Sequence, residues 1–469
     1  MSPDSLSRRS VLRSAAAVGL STSLLTACVT GGRDSAETPA SRGTKDANNP
    51  FGVENGRPLE VVAFKGGYGD DYVKNAEKLF NSRYARSTID HKGLQKVGDT
   101  LRPRFVANTP PDVVDNTGDG RLDISTLVSS RQLTDLAELL DAPSWDDPTV
   151  KVRDTLLPGV VDDGSFGGTC LCLNYVYTAY GFWYSKSLFD QRGWAYPSTW
   201  DGMVSLSEEI KKAGISPWTY QGKYPEYVSE PLLTMAGKTG GPALLKAIDN
   251  LEPNAWRTEA MTNAAEAFAE LAGKGFIMPG SEALSHTEAQ AAWCQGKAAF
   301  IPCGSWLESE QKGITPDGFE MAMGVVPPRT SSDKIKATGL EASSSESFIV
   351  PAKGKNPAGG LELLRMLFSK GVAKSFAQSA GTLPSVAGSA DGIRMSSALA
   401  SVTAAVKAAG PDLVVYRHRI WYAALAKATD DAVGELINGR ITAKEWADRI
   451  QKAADAIAKD SSVKKYTRQ

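Results

Sequence analysis

The apolar positions of the chain change period several times, and each change predicts an element. Leu59-Glu60-Val61-Val62-Ala63-Phe64 is strand-like, and the loop Gly66-Gly67-Tyr68-Gly69 follows, with Asp70 or Asp71 placed to cap a helix. In that helix Tyr72, Ala76, Leu79 and Phe80 share one face. A second, short strand runs from Asp112 to Asp115, entered through Pro110-Pro111 and left through the polar loop Asn116-Thr117-Gly118-Asp119-Gly120. Strand, loop, helix, strand predicts an α/β fold. Open α/β sheets place ligands in the loops at the carboxyl ends of their strands.

From Gly167 to Lys186 a β-prone run carries Tyr175, Tyr177, Tyr180, Trp183 and Tyr184, as suits a strand passing between lobes. Pro197-Ser198-Thr199-Trp200 opens a helix with Thr199 as N-cap, and Trp200, Val204, Leu206 and Ile210 are its apolar positions. Helical spacing recurs from Ala264 to Leu271 and from Glu288 to Trp293, and strands are expected at Phe319–Val325 and Ser347–Val350. Between them Gly296 to Glu308 reads as a glycine turn, an apolar strand and a second glycine turn that delivers Trp306. Val414 to Tyr422 gathers aromatic and cationic groups before a helical stretch. Thr442-Ala443-Lys444-Glu445 is a capping box, followed by Trp446, Ile450, Ala453, Ala454 and Ile457 at helical spacing. Trp200 and Trp446 are therefore expected in the core.

At 469 residues the chain exceeds what one core usually covers, so two lobes are expected. The N-terminus has a different pattern. Ser7-Arg8-Arg9-Ser10-Val11-Leu12-Arg13 precedes an uncharged apolar stretch from Ser14 to Ala27 that is too short to span a bilayer. It reads as a twin-arginine export signal over residues 1–27, against the alternative of a buried N-terminal helix. Leu25-Thr26-Ala27-Cys28 resembles a lipobox, which makes Cys28 the lipidated first residue of the mature chain. Residues 28–57, rich in Gly, Ser, Thr, Asn and Pro, read as a solvated tether.

A formal net charge of −1 gives no electrostatic reason to expect nucleic acid. Export leaves Cys170, Cys172, Cys294 and Cys303 in an oxidising compartment, where disulfides form but the sequence does not select a pairing. Three histidines, His91, His286 and His418, form no metal-ligand spacing, and no cofactor motif is present. His418 is expected as a satisfied surface or hinge histidine. HExxH, a nucleophile elbow and a P-loop are absent; Leu232 stands where the P-loop of Gly237-Lys238-Thr239 would need glycine.

Together, Phe182-Trp183-Tyr184-Ser185-Lys186-Ser187-Leu188-Phe189, Pro197 to Asp201, Gly296 to Trp306 and Asn438 to Asp448 resemble the extracytoplasmic solute-binding lipoproteins of carbohydrate ABC transporters. The signal and the Phe64 to Asp71 loop are most similar to the actinobacterial N-acetylglucosamine and diacetylchitobiose binders. The resemblance implies a two-lobed α/β fold of the periplasmic-binding-protein type, with crossings near Asn174, Leu340 and Leu383. Lobe 1 would hold residues 58–174 and 341–382, and lobe 2 residues 175–340 and 383–469. It also implies a lipid-anchored, non-catalytic monomer outside the cell membrane that delivers sugar to ABC permease subunits.

Carried over residue by residue, the resemblance makes Trp306, Trp421 and Tyr227 sugar-facing aromatics and gives Asp115, Asn116 and Asp119 to the sugar hydroxyls. Tyr68, Glu341 and Arg417 join them by position in the chain. Such a set suits a pyranose, whose C–H face covers aromatic rings and whose hydroxyls bond Asp, Asn, Glu and Arg. An exported carbohydrate-active hydrolase using two carboxylates and an adhesive surface lipoprotein are the alternatives.

Overall fold

The computed structural model describes residues 43–468, Asp119 and Ser331 excepted. The expected signal peptide and Cys28 lie outside the described residues. The tether ends earlier than its composition suggests. The main-chain N–H of Gly43 donates to the carbonyl of Gly52 at 2.7 Å, and Phe51 is fully buried, so residues 43–57 are folded. A polar composition still permits this, because two apolar anchors, Phe51 and Val53, give the segment something to bury.

The described residues form eleven strands: β1 (Leu59–Phe64), β2 (Ile89–Leu94), β3 (Val113–Asp115), β4 (Ser165–Phe166), β5 (Thr169–Cys170), β6 (Leu173–Ser185), β7 (Ser216–Trp218), β8 (Ala298–Gly304), β9 (Met321–Gly324), β10 (Glu341–Ile349) and β11 (Leu383–Pro384). Apart from the small β4–β5 pair they form one sheet in the order β2-β1-β3-β10-β6-β8-β7, with β9 and β11 also paired to β6. The first three strands are parallel, whereas β10 runs antiparallel to both β3 and β6.

Strand β6 holds the molecule together. Its first half pairs with β10, Asn174 opposite Ser347 and Tyr177 opposite Ser344, while its second half pairs with β8 and β9. Leu383 of β11 also lies opposite Tyr177. Three chain segments therefore run side by side at the centre of a two-lobed α/β molecule.

The buried apolar residues form two clusters, and these follow the faces of the sheet. Val61, Ala63, Val113, Trp183 and Phe348 belong to one, with helices Asp71–Arg83, Pro357–Leu367 and Lys370–Ala380. Val62, Val114, Phe182 and Ile349 belong to the other, with helices Trp200–Lys212, Glu259–Gly273, Ala423–Ile437 and Ala443–Lys459. The alternation in sequence is the period-2 rule of a strand buried on both faces. Trp200 and Trp446 are core residues as their spacing requires, and Phe182 sits among Trp200, Trp218 and Phe268. Thr199 and the Thr442–Glu445 box cap their helices as expected.

One strand goes unread in the sequence, and one expectation fails. Strand β2, Ile-Asp-His-Lys-Gly-Leu, is an edge strand with no fully buried position, so its apolar pattern is too thin to announce it. His418 is not at the surface; its Nδ1 lies 3.6 Å from the buried Asp249 carboxylate. It is wholly buried against the edge of Trp256, and neither ring nitrogen has a hydrogen-bond partner.

Candidate functional site

The loops after β1 and β3 meet at the carboxyl ends of two parallel strands. The ring of Phe64 is wedged between their glycines: a Cβ on Gly66 or Gly118 would fall 2.2 Å from it. Gly118 also has φ +82, a conformation that glycine adopts freely. Beneath the loop, Asp115 has no exposed surface. Its carboxylate accepts hydrogen bonds from the Tyr72 hydroxyl at 2.8 Å and the Thr117 hydroxyl at 2.6 Å, and burial pushes its pKa up to about 7.

Asn116 spends its amide on the loop itself. It donates to the Leu122 carbonyl at 3.0 Å and accepts from the Leu122 N–H at 2.8 Å, fixing the turn from within. Asp115 and Asn116 thus shape the loop that carries them. Asp119 lies outside the described residues.

On the opposite side, β8 ends at Gly304 and Trp306 folds back over it. A Cβ on Gly304 would come 2.2 Å from the indole, so the Gly-Ser-Trp sequence has a steric reason. The half-buried indole meets Tyr180 and Tyr227 edge to face, with ring centroids 5.3 and 5.9 Å away. These distances are those of favourable T-shaped pairs, and they hold the three rings as one aromatic corner. Tyr180 belongs to the β-prone run, but its place beside Trp306 comes from Tyr180 pairing with Gly304 across β6 and β8.

Tyr68 approaches from the loop after β1, its ring edge-on to Phe376 at 5.5 Å. Its buried hydroxyl faces that of Thr382, and neither makes a further bond. Glu346, which sequence reasoning passed over, lies on β10 with its carboxyl toward Asp115 and Thr117. Nothing local marks it, because its neighbours come from residues more than two hundred positions earlier in the chain.

Glu341 is nearly buried and accepts from the Thr234 hydroxyl at 2.9 Å. Burial first, and the nearby Glu230 second, raise its pKa well above the carboxylate range. Arg419 neutralises Glu230 at 2.7 Å and Asp430 at 2.9 Å in the same cluster. The remaining predicted residues are engaged elsewhere. Arg417 is paired with Asp163, whose other oxygen accepts from the Ser344 N–H and hydroxyl at 2.6 and 2.8 Å. Trp421 stacks on Tyr466 of the C-terminal tail, 5.5 Å between centroids and 27° between planes, so that ring covers one of its faces.

The two sides touch. The Ser309 hydroxyl donates to the Gly67 carbonyl at 3.1 Å, and the Ser125 hydroxyl to the Ile420 carbonyl at 3.3 Å. A separate surface hollow of 640 Å³, lined by Ser216, Met278, Leu284 and Lys297 among others, contains none of these residues. All four described cysteines are buried free thiols, and Cys303 accepts the indole N–H of Trp183 on its carbonyl at 3.0 Å. Among the described residues no cluster of His, Cys, Asp and Glu could hold a metal ion, and no helix is long and apolar enough to cross a membrane.

Residues 66–374 match the family described as bacterial extracellular solute-binding protein. The chain is 34% identical, over 98% of its own length and of the relative's, to the diacetylchitobiose binding protein NgcE of Streptomyces coelicolor. It is 28% identical over 165 residues to the multiple sugar-binding protein of Streptococcus mutans, covering 33% of this chain and 38% of that one. Among solved structures, a chitin oligosaccharide binding protein superimposes with TM-score 0.68 at 16% identity over 86% of this chain and 99% of its own. The raffinose complex of RafE does so with TM-score 0.66 at 16% identity, over 85% and 99%. At those identities the two structures speak for the fold, while the match over two thirds of the chain and the relative of equal length carry the family: this chain is a bacterial extracellular solute-binding protein.

Proposed function

We propose that the protein is the non-catalytic, sugar-capturing component of a carbohydrate ABC importer, taking N-acetylglucosamine, chitobiose or a related neutral sugar between its lobes and handing it to the membrane permease. The observation that carries this is the aromatic corner of Trp306, Tyr180 and Tyr227, just before the Ser309 that bonds the Gly67 carbonyl next to the buried Tyr68 hydroxyl. Aromatic platforms beside convergent polar groups form a site for a molecule with one apolar face and a polar rim. The diacetylchitobiose named for the Streptomyces relative fits the same chemistry.

In this proposal Trp306, Tyr227 and Tyr180 stack on sugar, Tyr68 and Glu346 bond its oxygens, and Asp115, Asn116, Glu341 and Arg417 hold the surrounding framework. Trp421 offers its uncovered face, and Asp119 extends the polar loop. The lobes join at β6, β10 and β11, along the boundaries given above. Cleavage after Ala27 and acylation of Cys28 would hold the protein at the outer face of the membrane. Cys28→Ala should then release it into the medium, and retention of that variant on membranes would refute the anchor.

Titrating the purified domain with chitobiose and N-acetylglucosamine tests the function. Tryptophan fluorescence should change saturably with the sugar recovered intact. Two pairs of neighbouring carboxyls, Asp115 with Glu346 and Glu230 with Glu341, keep a glycosidase as the second reading. Formation of monosaccharide from chitobiose would establish it instead.

A further inference from the structure

Strand β10 keeps one register against β6, with Ser345 opposite Val176 and Ser347 opposite Asn174. Glu346, between them, nevertheless has φ +60, a left-handed conformation that disfavours every residue with a Cβ. The strand is clamped beside it. The Asn116 N–H donates to the Ser347 carbonyl at 2.7 Å, and the Ser347 N–H donates to the Thr117 hydroxyl oxygen at 2.9 Å. The Glu346 carboxyl lies beside Thr117 and near Asp115, and its charge is felt by Tyr68 and Tyr72 of the segment after β1.

Among the described residues no cation acts on either carboxyl. A wholly buried Asp115 carboxyl and a half-buried Glu346 carboxyl held this close do not readily both ionise, and the pair retains a proton. Asp115 accepts from two hydroxyls, which offset part of its burial, so of the two carboxyls Glu346 holds the proton more tightly. Burial, with Asp115 second, raises Glu346 well above the usual carboxylate range. A second observation points the same way. The buried hydroxyls of Tyr68 and Thr382 face each other and make no further bond in the protein, and Tyr68 feels the charge of Glu346. Buried hydroxyls left open in this way await a polar occupant.

We propose that Glu346 sets the ligand class of the cleft: as an uncharged carboxylic acid it donates a hydrogen bond to an acceptor oxygen of a neutral sugar, and the adjoining Asp115 carboxylate turns sugar acids away. The proposal rests on the sugar-binding reading above. Loss of the shared proton at higher pH converts the donor into a second anion facing the sugar oxygen, and binding weakens.

The test is calorimetric titration of chitobiose into the purified protein from pH 6 to pH 9, with melting of the ligand-free protein followed over the same range. Wild type should lose roughly tenfold in affinity across the range. Glu346→Gln, whose amide donates at every pH, should bind with a flat profile, and glucuronic acid should bind neither. A flat wild-type profile, an unchanged slope in Glu346→Gln, or loss of sugar by that variant with unaltered melting overturns the proposal.

The melting has a defined sign. A carboxyl whose folded pKa is raised contributes stability below its unfolded value and loses it as pH rises through the folded value. Wild type should therefore fall relative to Glu346→Gln toward pH 9, and a constant difference overturns the proposal even where sugar binds. No sugar binding by wild type at any pH overturns the functional reading as well. Should Glu346→Gln fold poorly, Glu346→Gly relieves the backbone and removes the donor. It should melt no lower than wild type and bind more weakly, and unchanged binding would overturn the proposal.

Discussion

At the scale of single residues, the aromatic corner depends on a missing methyl group. Gly304 lets the Trp306 indole lie back over the strand end, where Tyr180 and Tyr227 brace it edge-on. Trp306→Ala should weaken sugar binding at least tenfold, about 1.4 kcal/mol, with melting little changed, as calorimetry and a thermal scan would show. An affinity equal to wild type would return Trp306 to a packing role. This residue was legible in the sequence because its cause is local, a glycine two positions earlier. Trp421 was only half legible, since the ring that covers one face arrives from Tyr466, forty-five positions later. Asn116 has the composition of a ligand contact, but its amide is consumed by Leu122, a matter of turn geometry that composition does not record. Glu346 was invisible because strand register and a positive φ, neither written in its neighbours, place it.

At the scale of elements, helices with a clear apolar stripe and a capping signal appeared where the periodicity put them, and the edge strand β2 did not announce itself. Burial decides the difference. Trp446, on helix Ala443–Lys459, is completely buried between its own helix and Trp256. Trp446→Ala should cost about 3–5 kcal/mol in urea unfolding through the cavity it leaves, and a loss under 1 kcal/mol would contradict that packing.

Helix Glu226–Asp249 carries a different device. Lys238 is fully buried, and its ammonium donates to the carbonyls of Val326 and Ala337 at 2.5 and 2.8 Å, strapping the segment between them to the helix. Burial lowers its pKa to about 7. Between that value and the ordinary lysine range, the unfolded chain binds the proton that the folded one has released. Stability from this site therefore rises as pH increases from about 7, and the penalty is fully present below it. Urea unfolding at pH 7 and pH 9.5 should show wild type gaining on Lys238→Met at the higher pH, and parallel changes would refute the assignment.

At the scale of the whole molecule, the two-lobed α/β class followed from alternating strands and helices and from chain length. The extent of order did not. Phe51→Ala should lower the melting temperature by several degrees, because Phe51 is a core residue of the first cluster and not part of a tether. A melting temperature equal to wild type would restore the tether to residue 57.

The arrangement of the core has a consequence for how such a molecule can be taken apart. Each apolar cluster follows one face of the continuous sheet, and β6 contributes Trp183 to one and Phe182 to the other. Neither lobe owns a complete interior. Fragments cut at the lobe boundary should not fold alone, and differential scanning calorimetry of the intact chain should record one endotherm, with two resolved peaks as the contrary result. For anyone dividing the chain to build a split reporter, the seam lies between the layers above and below the sheet and not across its waist.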